Sequence, residues 1–280
     1  MDQFSQTPLS SLLRLEHAAA RLPNNMSAMH FHSYYEIYFL VAGKRRYFVG
    51  HSIYDVSPGN LVLIPKMQLH RTISLGNAGY DRHLIYFNDT PHQSFINQLG
   101  ASVFEEVMSR GCLQFSSNIV YQIQRDFTQL AEEFASPSPS SEAMVSHLLY
   151  DILLTALRHG TVKSTYQGES ADHIQEAAHY ISEHYPFELT LKHVAQFACM
   201  EETYFSKRFK ALTGFGFQEY LTLTRLRAAE QLLLETRLSM GEIAERCGFS
   251  GSNYFGDVFR RYRGIAPSAY RKEAQNELWR

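Results

Sequence analysis

The sequence predicts an α+β protein of two domains, with a β-rich N-terminal half and an all-helical C-terminal half. Its 280 residues exceed the usual size of a single domain, and 45% of them are hydrophobic, enough for each half to bury its own core. Short segments rich in aromatic and β-branched residues fill positions 29–88, whereas helical spacing of apolar residues fills positions 172–280. We therefore expect strands in the first domain and helices in the second.

Charge and cysteine content exclude several classes of protein. The formal net charge is −2, so any surface that binds nucleic acid would have to be basic only locally. Cys112, Cys199 and Cys247 are too few and too far apart for a disulfide framework or a cysteine-rich zinc site. The N-terminus lacks the apolar core of a signal peptide, and no apolar run approaches about 18 residues. We expect a soluble cytoplasmic protein.

The first domain is predicted over residues 1–160 and begins with an arm of uncertain structure at residues 1–27. Turn residues then separate short strands at nearly regular spacing, which is typical of an all-β sandwich or barrel. The predicted strands are Glu36–Val41, Arg45–Val49, Ile53–Val56, Leu61–Ile64, Leu69–Ser74 and Leu84–Phe87.

Helical spacing replaces the strand pattern between residues 91 and 159. The apolar residues of this segment favour two interpretations equally, packing against the strands and formation of a homodimer seam. Polar residues with two glycines follow at 161–171 and predict an interdomain linker, so that the second domain begins at residue 172. The predicted helices are Phe95–Leu99, Val103–Met108, Ile119–Phe134 and Ala143–Arg158.

One pattern occurs twice in the second domain, at residues 204–220 and again 50 positions later. In each copy a short helix with a polar N-cap, Thr190 or Ser239, precedes a turn and a second helix that buries two phenylalanines. This arrangement predicts two helix-turn-helix units. The recurring pairs are Tyr204 and Tyr254, Phe205 and Phe255, Phe209 and Phe259, Gly214 and Gly264, and Tyr220 and Tyr270.

Each second helix carries polar and basic residues opposite its phenylalanines, as the major groove of double-stranded DNA requires. The uninterrupted amphipathic run Phe217–Glu235 would form a helix about 28 Å long, close to the roughly 34–36 Å of one DNA turn. The alternative is a helical-repeat scaffold that binds only protein. The predicted DNA-facing residues are Thr203, Ser206, Lys207 and Lys210 in the first copy and Ser252, Asn253, Arg260 and Arg261 in the second.

Several ordered runs of the second domain carry a family pattern: Ile174–Tyr185, Tyr204–Lys210, Leu226–Leu234, Glu242–Ser250 and Pro267–Arg271. Residues 170–273 thereby resemble the DNA-binding domain of AraC/XylS-family transcription regulators. The resemblance implies seven helices, two helix-turn-helix units and a regulator, more often an activator than a repressor, that acts with RNA polymerase. The base-facing positions that it implies are Thr203, Ser206, Lys207, Ser252, Asn253, Gly256 and Asp257.

Two departures from this pattern predict unequal units. Glu201 and Glu202 begin the first recognition helix where the family often has a serine-type cap, and they favour the helix dipole but repel phosphate. Gly256 and Asp257 stand where Ser-Arg is common, which removes a cation able to read guanine. We expect the first unit to discriminate DNA sequence more strongly than the second.

Four residues of the first domain, His30, His32, Glu36 and His70, are ligand types for zinc, iron, manganese or nickel. Their spacing resembles the cupin double motif, in which Met67 and Ser74 replace the usual Gly and Asn. Three interpretations follow: a bound divalent metal, a vestige of such a site, or a small-molecule pocket. Similarity to sugar-responsive family members implies a sugar or oligosaccharide in that pocket. Its predicted lining is His30, His32, Glu36, Tyr38, Arg46 and His70.

Two function hypotheses compete. The leading one is a one-component, sequence-specific DNA-binding transcription regulator that answers to a small-molecule effector, with no catalytic residues and no required cofactor. The rival is a metal-dependent cupin enzyme, an oxygenase or isomerase, with a helical tail. The first requires salt-sensitive, sequence-dependent DNA binding, and the second requires stoichiometric metal and turnover.

Overall fold

A computed structural model describes residues 13–22 and 31–277 of the chain. The chain forms two compact units, divided between Tyr166 and Gln167. The predicted fold class is confirmed, because antiparallel strands with flanking helices make up the described part of the first unit and helices make up that of the second. None of the helices in the described residues is long and apolar enough to span a bilayer.

The described part of the first unit contains nine strands in two sheets. The larger sheet has the order β1-β7-β2-β5-β8-β9 and the smaller one β4-β3-β6, with antiparallel pairing throughout. The strands are β1 (Leu13–Ala20), β2 (Tyr35–Ala42), β3 (Arg45–Val49), β4 (Ser52–Val56), β5 (Leu61–Ile64), β6 (His70–Ser74), β7 (Tyr80–Phe87), β8 (Cys112–Gln114) and β9 (Thr161–Val162).

The larger sheet has a different core on each face. Side chains alternate along a strand, so Ile37 and Phe39 of β2 face one core while Tyr38 and Leu40 face the other. The core around Tyr38 also contains residues of β3 and β4, so it lies between the two sheets. Tyr38 lies on the face of the larger sheet that is directed at the smaller sheet. We call the region between these two facing surfaces the intersheet interior.

Four helices of the first unit cover the outer face of the larger sheet. Ile123, Phe127 and Leu149 are completely buried in the same core as Ile37 and Phe39. Packing against the strands thus accounts for the main apolar positions of these helices, and the homodimer seam stays a prediction. The helices are α1 (Asp89–Leu99), α2 (Ala101–Ser109), α3 (Ser117–Ala135) and α4 (Ser141–His159).

The six predicted strands are present, but the sequence analysis missed β1, β8 and β9. Residues 13–20 of the predicted arm form strand β1, which pairs along its whole length with β7. Its last three residues are alanines, which have low strand propensity, and its partner lies far away in sequence. The first part of the predicted linker runs along the first unit, because β9 pairs with β8 and the Tyr166 N–H donates to the Ile53 carbonyl.

The described part of the second unit contains seven helices, the number that the family resemblance implied. The two short helices of the repeat bury apolar residues at equivalent positions, Val194 and Ala195 in the first and Ile243 and Ala244 in the second. The helices are α5 (Ala171–His184), α6 (Leu191–Phe197), α7 (Glu202–Thr213), α8 (Phe217–Glu235), α9 (Met240–Arg246), α10 (Ser252–Arg263) and α11 (Pro267–Glu277).

Candidate functional site

Three of the predicted metal-ligating residues lie together in the first unit. Glu36 of β2 is buried in the intersheet interior, His70 begins β6, and His32 precedes β2. His32 Nε2 lies 3.1 Å from Glu36 Oε2, and His70 Nε2 lies 3.4 Å from the same oxygen. The fourth predicted ligand, His30, lies outside the described residues. We call His32, Glu36 and His70 the His-Glu-His cluster.

Backbone and side-chain contacts orient this cluster. His32 Nδ1 lies 2.8 Å from the Tyr34 carbonyl oxygen, and His70 Nδ1 lies 2.8 Å from that of Gln68. The Tyr47 hydroxyl donates to Glu36 Oε1 over 3.2 Å. Burial alone would raise the pKa of Glu36, but His70 and His32 beside it hold that pKa well below its usual range. Two imidazoles and an ionised carboxylate form a donor set that suits a divalent transition metal.

The loop before β6 has a residue in the left-handed backbone region where the cupin pattern has a glycine. Met67 stands at that position with a φ of 58°, in the left-handed region that disfavours residues with a Cβ. Its N–H donates to the carbonyl oxygen of His32 over 2.7 Å, so the loop that leads to His70 is attached directly to the segment of His32. The replacement of glycine therefore leaves the two histidines close together.

Aromatic and cationic side chains line the rest of the intersheet interior. Arg45 lies over the Tyr80 ring at 4.4 Å, and Arg82 lies 5.7 Å from the Tyr38 ring. Burial raises the pKa of Tyr38 to about 12, so its hydroxyl keeps its proton. Among the described residues, nothing forms a hydrogen bond with Tyr38 Oη or with Arg82 Nε, although both atoms are buried. These are polar groups that a ligand rich in hydroxyls would satisfy.

Arg46 does not lie in this interior, which corrects the predicted pocket lining. Arg45 and Tyr47 face inward from β3, so alternation turns the Arg46 side chain to the opposite face. There its guanidinium forms two hydrogen bonds to Asp55, 2.6 and 2.9 Å long, and lies 3.7 Å from the centre of the Tyr166 ring. The preceding residue, Arg45, faces inward instead, and strand alternation counted from the buried Tyr47 is the signal that could have shown this.

A separate cleft of about 580 Å³ opens on the helix-covered face, between the larger sheet and α3. His83 lines it beside polar residues of α3, including Gln124 and Arg125. Burial, assisted by the nearby His17, lowers the pKa of His83 to about 4, so this imidazole is neutral at neutral pH. None of the predicted site residues lines the cleft, so it was not anticipated from the sequence.

The second unit contains two similar recognition helices, α7 and α10, each twelve residues long and each ending at a left-handed glycine. Phe205 and Phe209 of α7 are completely buried, as are Phe255 and Phe259 of α10. The predicted DNA-facing residues lie on the other side of each helix. Ser206 and Gly256 are half-buried, and the rest are exposed: Thr203, Lys207 and Lys210 in α7, and Ser252, Asn253, Asp257, Arg260 and Arg261 in α10.

The recognition helices differ where the sequence departs from the family pattern. The Glu201 carboxylate accepts a hydrogen bond from the Tyr204 N–H over 2.9 Å and so caps α7. Backbone N–H groups of Thr203 and Tyr204 lower the pKa of this carboxyl. The residue before helix α10 is Gly251, which has no side chain to cap the helix. Asp257 lies 3.8 Å from Arg260, so the acidic side chain offsets one cation of that helix.

Family comparisons match both units. The AraC-like ligand binding domain matches residues 12–153, and a helix-turn-helix domain matches residues 194–273.

Among similar proteins, the transcriptional activator RhaR of Cronobacter sakazakii is 27% identical over 279 residues, which cover 96% of this chain and 94% of that protein. RhaR of Enterobacter sp. strain 638 is 26% identical over 262 residues, covering 92% of this chain and 91% of the relative. Among solved structures, ToxT from Vibrio cholerae is 15% identical to this chain, with a TM-score of 0.38. The matched region covers 93% of this chain and 98% of the ToxT chain.

Proposed function

Because the chain belongs to the AraC family of transcription regulators, we propose that it binds promoter DNA through both helix-turn-helix units and answers to a small polar molecule held in its intersheet interior. Full-length relatives named as transcriptional activators favour activation over repression. Homodimer formation and contact with RNA polymerase stay predictions from the family resemblance. The rival hypothesis of a metal-dependent enzyme gains no support from these relatives.

The observation that carries the DNA-binding proposal is the duplication of α7 and α10. Both helices bury their phenylalanines completely and expose the predicted contact residues, and α8 between them has 19 residues. A helix of that length measures about 28 Å, close to one turn of DNA. The two recognition helices would therefore meet neighbouring stretches of major groove on one side of the duplex.

The chemistry of the intersheet interior supports a sugar or oligosaccharide as the effector. Tyrosine rings offer flat apolar faces to the carbon skeleton of a sugar, while Arg45, Arg82 and Glu36 offer donors and acceptors to its hydroxyls. Tyr38 Oη is a buried hydroxyl with no hydrogen bond from the described residues, so a bound hydroxyl would remove an energetic penalty. An effector held there would alter the first unit only if it bound one conformation more tightly than another.

A footprint on the DNA upstream of the protein's own operon tests the first half of the proposal. We expect a protected region about two helical turns long and affinity that falls as salt rises, because phosphate contacts release counterions. Lys207→Ala should weaken binding, whereas Lys44→Ala should not, because it removes the same charge from an exposed position in the first unit. Binding with no sequence preference, or equal losses in both variants, would reject this reading.

A thermal-shift screen of sugars tests the second half, since a ligand that binds only the folded state raises the melting temperature. In Tyr38→Phe we expect the same sugar to give a smaller shift. The unliganded melting temperature should be equal or higher, because the substitution removes no hydrogen bond to the described residues. Tyr121→Phe, an exposed site on α3, is the matched control. An undiminished shift in Tyr38→Phe would place the sugar elsewhere.

A further inference from the structure

We propose that Tyr204 and Arg208 are positioning residues for DNA recognition, which attach the first recognition helix, α7, to the end of the interdomain linker at Glu169. Through this attachment α7, and not α10, responds to the state of the first unit. This control rests on the proposed function, since α7 is one of its two DNA-binding helices.

The end of the linker is attached to α7 by two side chains that lie one helical turn apart. The Tyr204 hydroxyl donates to Glu169 Oε1 over 3.2 Å, and the Arg208 guanidinium donates to the Glu169 carbonyl oxygen. Ser170 Oγ lies 3.4 Å from the same tyrosine hydroxyl. We call Glu169, Ser170, Tyr204 and Arg208 the linker-end contact. Because α7 binds both the side chain and the main chain of Glu169, it restrains the linker end more firmly than one hydrogen bond would.

The linker-end contact uses a side of α7 that is separate from its core and from its predicted DNA surface. At about 100° per residue, Tyr204 and Arg208 project between the buried phenylalanines and the predicted DNA-facing residues. Phe205 and Phe209 pack in the core on one side, and Lys207 is exposed on the other. The contact therefore orients α7 without occupying the surface that would meet DNA.

The second copy of the repeat cannot form the same contact. At the offset of 50 positions, Tyr254 corresponds to Tyr204, but Val258 replaces Arg208. Valine has no polar side-chain atom, and Tyr254 is 54% exposed. The helix-turn-helix framework thus forms in one copy without this contact, so the fold alone does not require it in the other.

Ser170, immediately before α5, has an unfavourable backbone conformation. Its φ of 60° and ψ of 10° lie in the left-handed region, which disfavours residues with a Cβ. Such a conformation persists only where the surrounding structure holds it. The hydrogen bonds of the linker-end contact restrain Ser170 and its neighbour Glu169, so loss of the contact would release the strain and favour a different path of the chain into α5.

The other end of the linker is attached to the first unit. Strand β9 pairs with β8, and the Tyr166 N–H donates to the Ile53 carbonyl over 2.7 Å. The Arg46 guanidinium lies 3.7 Å from the centre of the Tyr166 ring. Arg46 stands on β3 between Arg45 and Tyr47, which line the intersheet interior. A displacement of this strand therefore reaches Tyr166 directly.

Only Gln167 and Gly168 separate the two attachments in the sequence. The chain from Tyr166 to Glu169 spans at most about 10 Å when fully extended. A larger displacement would break either the linker-end contact or the attachment to the first unit. An effector that favours one arrangement of β3 would thereby favour one state of the linker-end contact, which is the differential interaction that coupling between two sites requires.

Operator binding by the full-length chain tests the positioning role, with the footprinted DNA as the operator. Tyr204→Phe removes one hydroxyl and no charge, so affinity for random DNA should not change. We expect the preference for the operator over random DNA to fall by about 3–10-fold, the range that follows loss of one hydrogen bond. The reason is that a less restrained α7 loses more freedom when it is ordered on its specific site. Tyr254→Phe, the same change in the second copy, should alter neither quantity.

Arg208 variants separate positioning from a phosphate contact. Arg208→Lys keeps a donor for the Glu169 carbonyl and should retain more of the operator preference than Arg208→Met, which keeps none. If Arg208→Met weakened binding to operator and random DNA by the same factor, the arginine would be a phosphate contact and the positioning role would be rejected.

A double-mutant cycle tests the coupling to the first unit. Arg46→Ala removes the contact with the Tyr166 ring, and we expect it to change operator affinity by about fivefold or more in an otherwise wild-type chain. The change should be less than about twofold when Tyr204→Phe and Arg208→Met are also present, and undiminished when Tyr254→Phe is present. Equal changes in all three backgrounds, or none in the wild-type background, would overturn the coupling.

Hydrogen exchange measures the linker-end contact without DNA. In the chain with Tyr204→Phe and Arg208→Met, the Ala171 N–H, which donates to the Gly168 carbonyl, should exchange faster, while the Tyr166 N–H should keep its protection. Unchanged protection of Ala171 would show that α7 does not hold the linker end, and would reject this proposal whatever the DNA result. Failure of the wild-type chain to prefer its operator would instead reject the DNA-binding function itself.

Discussion

The two helix-turn-helix units share one apolar framework and satisfy their buried polar groups differently. In the first, the rings of Phe209 and Tyr220 meet edge to face at 5.5 Å, and in the second Phe259 and Tyr270 do so at 5.4 Å. The Tyr220 hydroxyl donates to the Ala178 carbonyl, whereas the Tyr270 hydroxyl donates to the buried Glu230 carboxylate. The repeated aromatic residues therefore specify the fold, while the hydrogen-bond partners of the tyrosines diverge between copies.

The turns between the helices differ in the same way. Each turn has one residue in the left-handed region, Cys199 at a φ of 53° in the first unit and Gly248 at 75° in the second. Glycine adopts this conformation without strain, and a residue with a Cβ does not. The second unit thus combines a relaxed turn with a buried charge, and the first combines a strained turn with a neutral hydrogen bond of its buried tyrosine. Four predictions test the comparison of the two units.

The largest expected effect follows loss of the cation that pairs with Glu230. Arg263 forms two hydrogen bonds with the Glu230 carboxylate, one of them 2.6 Å long, and Glu230 is 0% exposed. Arg263→Ala leaves that carboxylate buried and uncompensated, so the free energy of unfolding should fall by roughly 3–5 kcal/mol at neutral pH. Urea unfolding measures it, with Arg261→Ala, an exposed neighbour, expected to stay within about 0.5 kcal/mol of wild type.

The pH dependence of Arg263→Ala provides a second readout. Burial raises the pKa of Glu230, and Arg263 opposes that rise. Without the arginine, the pKa of Glu230 in the folded protein rises further above its value in the unfolded chain. A carboxyl with a raised pKa is easier to bury when it is protonated, so the folded state is favoured at low pH and loses this advantage as the pH increases through that pKa. The deficit should therefore be smaller at pH 5 than at pH 7.5. An equal deficit at both values would show that lost packing, not charge, is responsible.

A somewhat smaller loss is expected from Gly248→Ala. A Cβ at this position would lie 2.6 Å from the Pro186 carbonyl oxygen and 2.7 Å from that of Tyr185, and the φ of 75° is itself unfavourable for alanine. Together these effects should lower the free energy of unfolding by about 3 kcal/mol. Gly256→Ala is the control, because open space surrounds that helical glycine, and it should raise stability by about 0.5–1 kcal/mol.

The next prediction concerns DNA recognition by the two units. Helix α7 presents Lys207 among small polar residues, whereas α10 has Asp257 close to Arg260 and a glycine at 256. We expect Lys207→Ala to reduce the preference for the operator over random DNA by roughly 10–100-fold, and Asn253→Ala to reduce it by less than about fivefold. Competition binding at one fixed salt concentration gives both ratios. Equal reductions would contradict the inequality.

The sequence predicted most of the fold because the signals were local. Strands β2 to β7 are marked by aromatic and β-branched residues between turn residues, and the two helix-turn-helix units by a repeated spacing. Strand β1 was missed since its pairing with β7 joins residues far apart in the chain, and no local pattern reports such a pairing. Strand β8 has only three residues and forms because a neighbouring strand is available.

The sequence predicted which residues belong to the candidate site, but it was wrong about which side of the strand one of them faces. Motif spacing identified His32, Glu36 and His70 as a group, and the structure brings all three together. Applying strand alternation to β3 would have placed Arg45 inside and Arg46 outside. The hydrogen bonds that orient the two histidine rings depend on the carbonyls of Tyr34 and Gln68, whose directions follow from the folded loops alone.

The smallest expected effect is a gain in stability from Cys199→Gly. The left-handed conformation costs a residue with a Cβ about 1–2 kcal/mol, and glycine removes that strain but loses about 0.5–1 kcal/mol through the greater freedom of the unfolded chain. The net gain should be about 0.5 kcal/mol, measured by urea unfolding under reducing conditions so that oxidation of this exposed thiol does not contribute. Cys199→Ala keeps the Cβ and should show no gain. If the two variants were equally stable, the turn of the first unit would carry no strain, and the contrast with Gly248 would reduce to the close approach of the Tyr185 and Pro186 carbonyls.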